Sequence, residues 1–268
     1  MTFGFIGAGN MASAIIKGMT LGGGGYDPQS ILVSSKSRRS AEELAQTCGV
    51  IACAENAEVV RRSDVLILAV KPHILEEILP QLRSEIQAKA VLPLIISIAA
   101  GKTLADLARL LPEGLPIVRV MPNINAKIRS ATSGICANAA VTAEQREIAK
   151  RLFSAIGAVV DVDEKQFGIF SVLAGSAPAF AYLYIDALAR AAVRAGMSKG
   201  QAVEIAAATV LGSAKMVLES GEHPWALIDQ VCSPGGTTIE GIFSLQASGF
   251  ETALADAFDA VLEKNERL

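Results

Sequence analysis

Apolar and polar positions along the chain fall into two regimes that meet near Asp163. Before it, short apolar runs alternate with stretches in which apolar residues recur at helical spacing. The runs at Phe3-Phe5-Ile6, 30–35, 50–52, 65–70, 92–98, 115–120, 133–137 and 158–162 read as strands. The run from Val65 is continuous, as expected of a parallel strand buried on both faces. Helical patterning appears at 13–19, 39–47, 57–62, 73–86, 104–111 (opened by Thr103) and 142–156 (capped by Gly157). Asn56, just ahead of the third of these, reads as an N-cap. About eight strands alternating with helices predict an α/β doubly wound domain over residues 1–163.

After Asp163 no convincing strand remains. Helices are predicted at 180–193, stopped by Gly196, and at 202–218 and 250–266. These are too apolar and too sparsely charged for a solitary small bundle, and an exposed apolar helical face usually marks an oligomer interface. Residues 164–268 are therefore expected to form an all-α dimerisation domain, with active sites shared or adjacent.

Composition narrows the function classes. With 51% hydrophobic and 19% charged residues in 268, the chain supports a large core and excludes disorder. A net charge of -3 without a basic cluster argues against nucleic-acid binding. No uninterrupted apolar run is long enough to span a bilayer; the closest, 91–100, contains Pro93. The N-terminus lacks a signal peptide's basic head and cleavage site, so a cytoplasmic location is expected. Cys48, Cys53, Cys136 and Cys232 have no zinc-like spacing and neither histidine sits near a second ligand, so no metal is expected and the thiols read as buried and reduced.

The chemistry begins where the first strand breaks, at Gly7-Ala8-Gly9-Asn10-Met11-Ala12. In this G-x-G-x-x-A spacing the first glycine permits the tight turn and the second lets the backbone approach a pyrophosphate. The small Ala12 lets helix and strand pack closely, which is the Rossmann-like dinucleotide site. An acidic residue that would hold a ribose 2′-OH is absent after the second strand, which ends in Ser34-Ser35-Lys36-Ser37-Arg38-Arg39. Hydroxyls and cations suit a 2′-phosphate, so NADP(H) is preferred, with NAD(H) still open; Arg39 is expected to face solvent. The strand from Val65 ends in Ala69-Val70-Lys71-Pro72, where open α/β sheets bind ligands, although Lys71 can equally be a solvated loop charge.

A second glycine cluster lies in the helical half: Ser233-Pro234-Gly235-Gly236-Thr237-Thr238. Such a turn opens a helix whose free N–H groups suit a small carboxylate, with two hydroxyls beside it. An ordinary capped helix entry is the competing reading.

These motifs together resemble the pyrroline-5-carboxylate reductase family over essentially the whole chain. The most specific segment is the one at 224–242, Pro-Trp-Ala-Leu-Ile-Asp-Gln-Val-Cys-Ser-Pro-Gly-Gly-Thr-Thr-Ile-Glu-Gly-Ile. Phe5 to Ala12, Ala69 to Pro72, Arg119-Val120-Met121-Pro122-Asn123 and Gly175-Ser176-Ala177-Pro178-Ala179-Phe180 support it. Ile124-Asn125 stands where Thr-Pro is usual, Arg129 where a small residue is expected, and Ala177 where glycine is common. None of these removes a proposed functional group. The resemblance implies a Rossmann N-terminal domain, a helical dimerising C-terminal domain, and NAD(P)H-dependent reduction of 1-pyrroline-5-carboxylate to L-proline. It implies cofactor contacts from Ile6, Gly7, Ala8, Gly9, Asn10, Met11, Ala12, Ser34, Ser35, Lys36, Asn56, Ala69, Val70, Lys71, Pro72 and Ala99. The substrate carboxylate would fall to Gly235, Gly236, Thr237 and Thr238, with Thr238 also on the imine nitrogen as the catalytic group and Glu164 as a neighbour.

Two rivals share parts of this pattern. A β-hydroxyacid dehydrogenase needs a base, usually a lysine early in the helical domain, yet 166–194 contains no lysine and Lys165 precedes the long helix. A non-catalytic nucleotide-binding protein would retain the first glycine cluster but has no use for the second.

Overall fold

Eight strands form one sheet in the order β3-β2-β1-β4-β5-β6-β7-β8. They are β1 (Phe3–Ile6), β2 (Ile31–Ser34), β3 (Ile51–Ala52), β4 (Val65–Leu68), β5 (Leu94–Ser97), β6 (Ile117–Met121), β7 (Ala131–Ala137) and β8 (Gly157–Asp161). Strands β1 to β6 run parallel in the dinucleotide-binding order; β7 turns antiparallel to β6 and β8 follows β7 in parallel. The computed structural model describes residues 1–266.

Alternation along β1 explains the two cores. Phe3 and Phe5 point to one face, against Ile15, Ile16 and Met19 of helix α1 (Asn10–Thr20) and Leu152 and Phe153 of α6 (Ala143–Ser154). Ile6 points to the other, against α3 (Asn56–Arg62), α4 (Pro72–Gln87) and α5 (Leu104–Leu110), while α2 (Arg39–Cys48) joins the first face. Burial on both faces is why these strands read as continuous apolar runs.

Several boundaries differ from the sequence reading, each for a local reason. Helix α1 starts at Asn10 rather than Ser13, because Gly9 in extended conformation already serves as its N-cap. Strand β4 stops at Leu68: Pro72 is the first residue of α4, and the residue before a proline is held extended, as Lys71 is. Gly157 does not cap α6; Ala155 does, and Gly157 opens β8 at φ 144°. Asn56 is not an N-cap either: Glu55 holds that position and Asn56 begins the helix.

The chain divides into two compact units, Met1–Gly175 and a second beginning at Ser176. The short helix α7 (Phe167–Phe170) and the π-helical turn Ser171–Ser176 run up to this division. Phe167 and Val172 are buried, and the Phe170 ring lies where a side chain at Gly134 of β7 would stand. Asn123 Nδ2 donates to the carbonyl of Ala174 at 2.9 Å, drawing that carbonyl toward the end of β6.

The second unit holds α8 (Ala177–Arg194), α9 (Lys199–Ser220), α10 (Pro224–Val231), α11 (Thr237–Ala247) and α12 (Phe250–Glu266), with no strand among the described residues. Helices α8 and α9 meet around Ala189, Ala202 and Ala206, a core of small side chains. Large apolar residues stay outside it: Leu183 is 70% exposed, Leu211 71% and Leu218 84%. The helical segments 164–194 and 199–220 are, by length and composition, apolar enough to cross a bilayer. Neither is an uninterrupted apolar run, in keeping with the sequence reading: isolated polar residues break both without lowering the mean hydropathy far, and the same test is passed by a helix of a protein that never meets a membrane. Asp186, Arg190 and Lys199 form a charged cluster on them, with Arg190 Nε 2.5 Å from Asp186.

Candidate functional site

The first site lies at the carboxyl ends of β1 and β4. Gly7 sits at φ 108°, and a β-carbon on it would lie 2.5 Å from the Ala69 carbonyl oxygen, so no other residue fits. Its N–H donates to Ser34 O at 2.9 Å, fixing the turn on β2. Gly9 differs: nothing stands within 4 Å of a β-carbon built on it. That open side faces the N-terminus of α1, which has neither a side-chain cap nor an acidic residue in its first turn. Unpaired N–H groups and the positive end of the helix dipole are left for an anion.

A cleft of about 1020 Å³ runs from this turn, walled by Ile6, Gly7, Ala8, Gly9, Ser35, Lys36, Asn56, Ala69, Val70 and Lys71. Ser34 is buried behind the wall and its hydroxyl donates to Asn56 Oδ1 at 2.7 Å, holding that amide in place. Ser35 Oγ accepts from the N–H of Ala41, and Lys36 has no carboxylate partner among the described residues. Arg38 and Arg39 are committed to Glu42 and Glu43 at 3.2 and 2.8 Å. Five other expected contacts lie off this cleft. Asn10 faces a neighbouring groove along α1, while Met11, Ala12 and Ala99 pack into the cores and Pro72 starts α4. Ser37, Ser40, Ala54, Glu55, Ile74 and Ile78 also line the cleft. Only Ser37 carried a signal in the sequence, because the others come from helix flanks rather than strand ends.

The second site stands at the start of α11. Gly235 takes φ 69° and Gly236 is the N-cap, its N–H donating to Ser233 O at 2.9 Å. A β-carbon on Gly236 would collide with the Ser233 side chain, so the turn closes tightly and leaves the helix entry bare. No side chain caps it, and Thr237 and Thr238 are exposed in its first turn. The arrangement offers N–H donors and two hydroxyls to a small carboxylate.

Glu164 is tied to the first unit through one carboxylate oxygen. Its Oε1 accepts from Leu104 N at the head of α5 (2.6 Å) and from Arg119 Nη1 (3.2 Å). The Arg119 guanidinium lies 4.3 Å from the centre of the Phe167 ring. Burial, aided by the Glu164 charge, pushes the Cys136 thiol up to about 11. Burial does the same for Cys53, which also reaches about 11, so neither thiol is a thiolate nucleophile near neutral pH. Among the described residues no group of three His, Cys, Asp or Glu side chains has metal-holding geometry.

Comparison with known proteins matches both regions. Residues 164–268 match the family model "Pyrroline-5-carboxylate reductase dimerisation", and residues 2–101 match "NADP oxidoreductase coenzyme F420-dependent". The pyrroline-5-carboxylate reductase of Methanosarcina acetivorans is 43% identical over 99% of this chain and 97% of its own. The solved reductase of Coxiella burnetii superposes with TM-score 0.93 at 33% identity, covering 99% of this chain and 97% of that one. The Plasmodium falciparum reductase, solved with NADP bound, gives TM-score 0.86 at 27% identity over 100% and 97% of the two chains. With a glycine turn opening α1, an uncapped helix entry at α11 and full-length relatives of this kind, the chain belongs to the pyrroline-5-carboxylate reductases.

Proposed function

We propose that the protein reduces 1-pyrroline-5-carboxylate to L-proline with NADPH as the preferred donor. The observation that carries this reading is the pair of uncapped, glycine-opened helix entries, α1 in the first unit and α11 in the second. The first suits a dinucleotide pyrophosphate: Gly9 leaves room for the phosphates and the α1 N–H groups would hold them. When bound, the nicotinamide supplies the hydride. The protein's own part is to hold and orient the substrate. The α11 N–H groups with Gly235, Gly236 and Thr237 bind its carboxylate, and the Thr238 hydroxyl bonds the ring nitrogen. The ring nitrogen takes its proton from solvent before transfer; on that protonated imine the hydride would add to the C=N carbon, the π pair would move to nitrogen, and nitrogen would keep the proton. A protonated imine is already electrophilic, so orientation and exclusion of water do most of the work.

The preference for NADPH rests on Ser35 and Lys36 in the cleft wall and on the absence of a carboxylate at 34–39. Glu164 acts through Arg119 and the head of α5 as a positioning residue, because its carboxylate is already bonded there. The apolar faces of α8 and α9 are covered by a partner's helices rather than by lipid, which makes the protein a cytoplasmic dimer or higher oligomer. A dehydrogenase of β-hydroxyacids is disfavoured, since α8 has no lysine to serve as base.

Loss of reduced-nicotinamide absorbance on mixing protein, NADPH and pyrroline-5-carboxylate tests the reaction. Comparing kcat/KM for NADPH and NADH tests the preference. No NADPH oxidation in the presence of the imine would sink the reading.

A further inference from the structure

Most arginines of the first unit hold a carboxylate: Arg38, Arg39, Arg61, Arg62, Arg109, Arg119 and Arg146 are all ion-paired. Lys17, Lys127, Arg129 and Arg151 have no such partner among the described residues, and all four line a surface groove made of two abutting cavities. The groove has two lobes, of about 550 and about 490 Å³. They abut at Gly22 and Arg129, which line both. Lys17 and Lys127 border the first lobe, together with Asn10 from the head of α1, and Arg151 of α6 borders the second.

Arg129 is built into this groove. It takes the left-handed conformation, φ 58°, at the end of the 3₁₀ turn Ile124–Ile128, a conformation that ordinarily falls to glycine or asparagine. Its stem lies over the Gly22 backbone, where a β-carbon would stand 2.6 Å from Arg129 Cδ. Its Nη1 donates to the Gly22 carbonyl, which fixes the guanidinium but leaves its charge uncompensated. The negative end of the α1 dipole accounts for Lys17 in the last turn. It does not account for cations contributed by the 3₁₀ turn and by α6. In a chain of net charge -3, four unpaired cations around two abutting cavities are the counterpart of a multiply charged anion.

We propose that this groove is a second anion site, separate from the cofactor cleft, that binds a small polyphosphate along the flank of α1. A linear triphosphate matches the number of cations and their division between two abutting cavities. Because the groove reaches Asn10 at the head of α1, its occupant lies along the same helix that holds the dinucleotide pyrophosphate.

The test is titration of the full-length protein, saturated with NADPH to fill the cofactor cleft, with inorganic triphosphate at constant ionic strength. Saturable binding of one anion per protomer is expected. Lys17→Ala combined with Arg129→Gly is expected to weaken it at least tenfold, without changing Tm or NADPH affinity. Glycine suits the left-handed backbone, so folding is not at stake; Lys127→Glu on the exposed rim gives a second, independent loss. Parallel titration with ATP separates the two sources of a triphosphate. Tighter binding of ATP assigns the site to a nucleotide, with the exposed Leu21 and Ile128 receiving the base; equal binding assigns it to polyphosphate alone. Non-saturable binding, undiminished binding in the double variant, or an effect reproduced by sodium chloride at equal ionic strength would overturn the proposal. NADPH affinity is read from its own fluorescence titration, so failure of the cofactor reading is distinguished from failure of this one.

Discussion

Gly7 and Gly9 stand two residues apart in one motif yet do different work, and substitution separates them. Alanine at Gly7 must adopt φ 108° and meet the Ala69 carbonyl, so Gly7→Ala is expected to destabilise the fold by about 2 kcal/mol or more. Alanine at Gly9 meets nothing in the protein, so Gly9→Ala should melt like the parent. If the phosphates lie over Gly9 as proposed, the added methyl group takes their space, and the KM for NADPH should rise at least about tenfold, roughly one lost charge-assisted hydrogen bond. Thermal unfolding and initial rates measured on both variants check this split. Thr238 belongs to the same scale. As an orienting hydroxyl rather than a strong acid, its loss in Thr238→Ala should lower kcat/KM by about 10- to 100-fold and leave measurable turnover. Complete loss of activity with folding and NADPH affinity intact would contradict that modest role. The glycines and threonines were legible in the sequence because their types are dictated locally, by a turn or by a helix start. The engagement of Glu164 was not, since its partners Leu104 and Arg119 lie 60 and 45 positions away.

Elements show the same division between local and distant causes. Helix α5 was readable from Thr103 onward because its start is written in consecutive residues. Thr103 Oγ1 accepts from Asp106 N at 3.1 Å and Asp106 Oδ2 accepts from Thr103 N at 3.0 Å, a reciprocal capping box. Hydrogen bonds from Thr103, with help from Arg109, hold the Asp106 carboxyl down to about 2, below its ordinary 3.8. A lowered carboxylate contributes stability above its unfolded pKa and loses it as pH falls through the folded one. The stability gap between the parent and Asp106→Asn should therefore be widest above pH 4 and shrink toward pH 2, as read by urea unfolding across that range. The junction at 164–175 was not readable in this way. Composition changes at Asp163, but the π-helical turn Ser171–Ser176 is tied back by Asn123, 51 residues earlier, through Ala174. Asn123 also accepts from Asn125 N and Thr132 N, so the buried amide organises three segments. Removing it strands those groups, and Asn123→Ala should cost about 2–4 kcal/mol, measurable as a lowered urea midpoint.

At the scale of the whole molecule, the sequence showed that the second half is helical and too apolar to stand alone, but not which residues bury one another. Helices α8 and α9 settle their mutual contact with alanines, a packing that brings backbones close and leaves the large side chains pointing away. Leu183 and Leu211 thus face outward on surfaces that a soluble protein must cover. Lipid and a second copy of the chain are the two candidate covers, and they respond differently to a charge. If a partner's helices cover these faces, the protein should run in detergent-free buffer at twice the 27.9 kDa chain mass or a higher multiple. A carboxylate placed in the buried interface then costs several kcal/mol of association, because it is desolvated without a partner. Leu183→Glu and Leu211→Glu should each shift the protein toward monomer in light scattering and lower its Tm, while NADPH still binds the first unit. Unaltered mass in both variants would remove these faces from the interface, and a parent insoluble without detergent would point to lipid instead. Because the carboxylate site proposed on α11 belongs to the same helical unit, reductase activity should fall with the monomer fraction rather than with NADPH affinity.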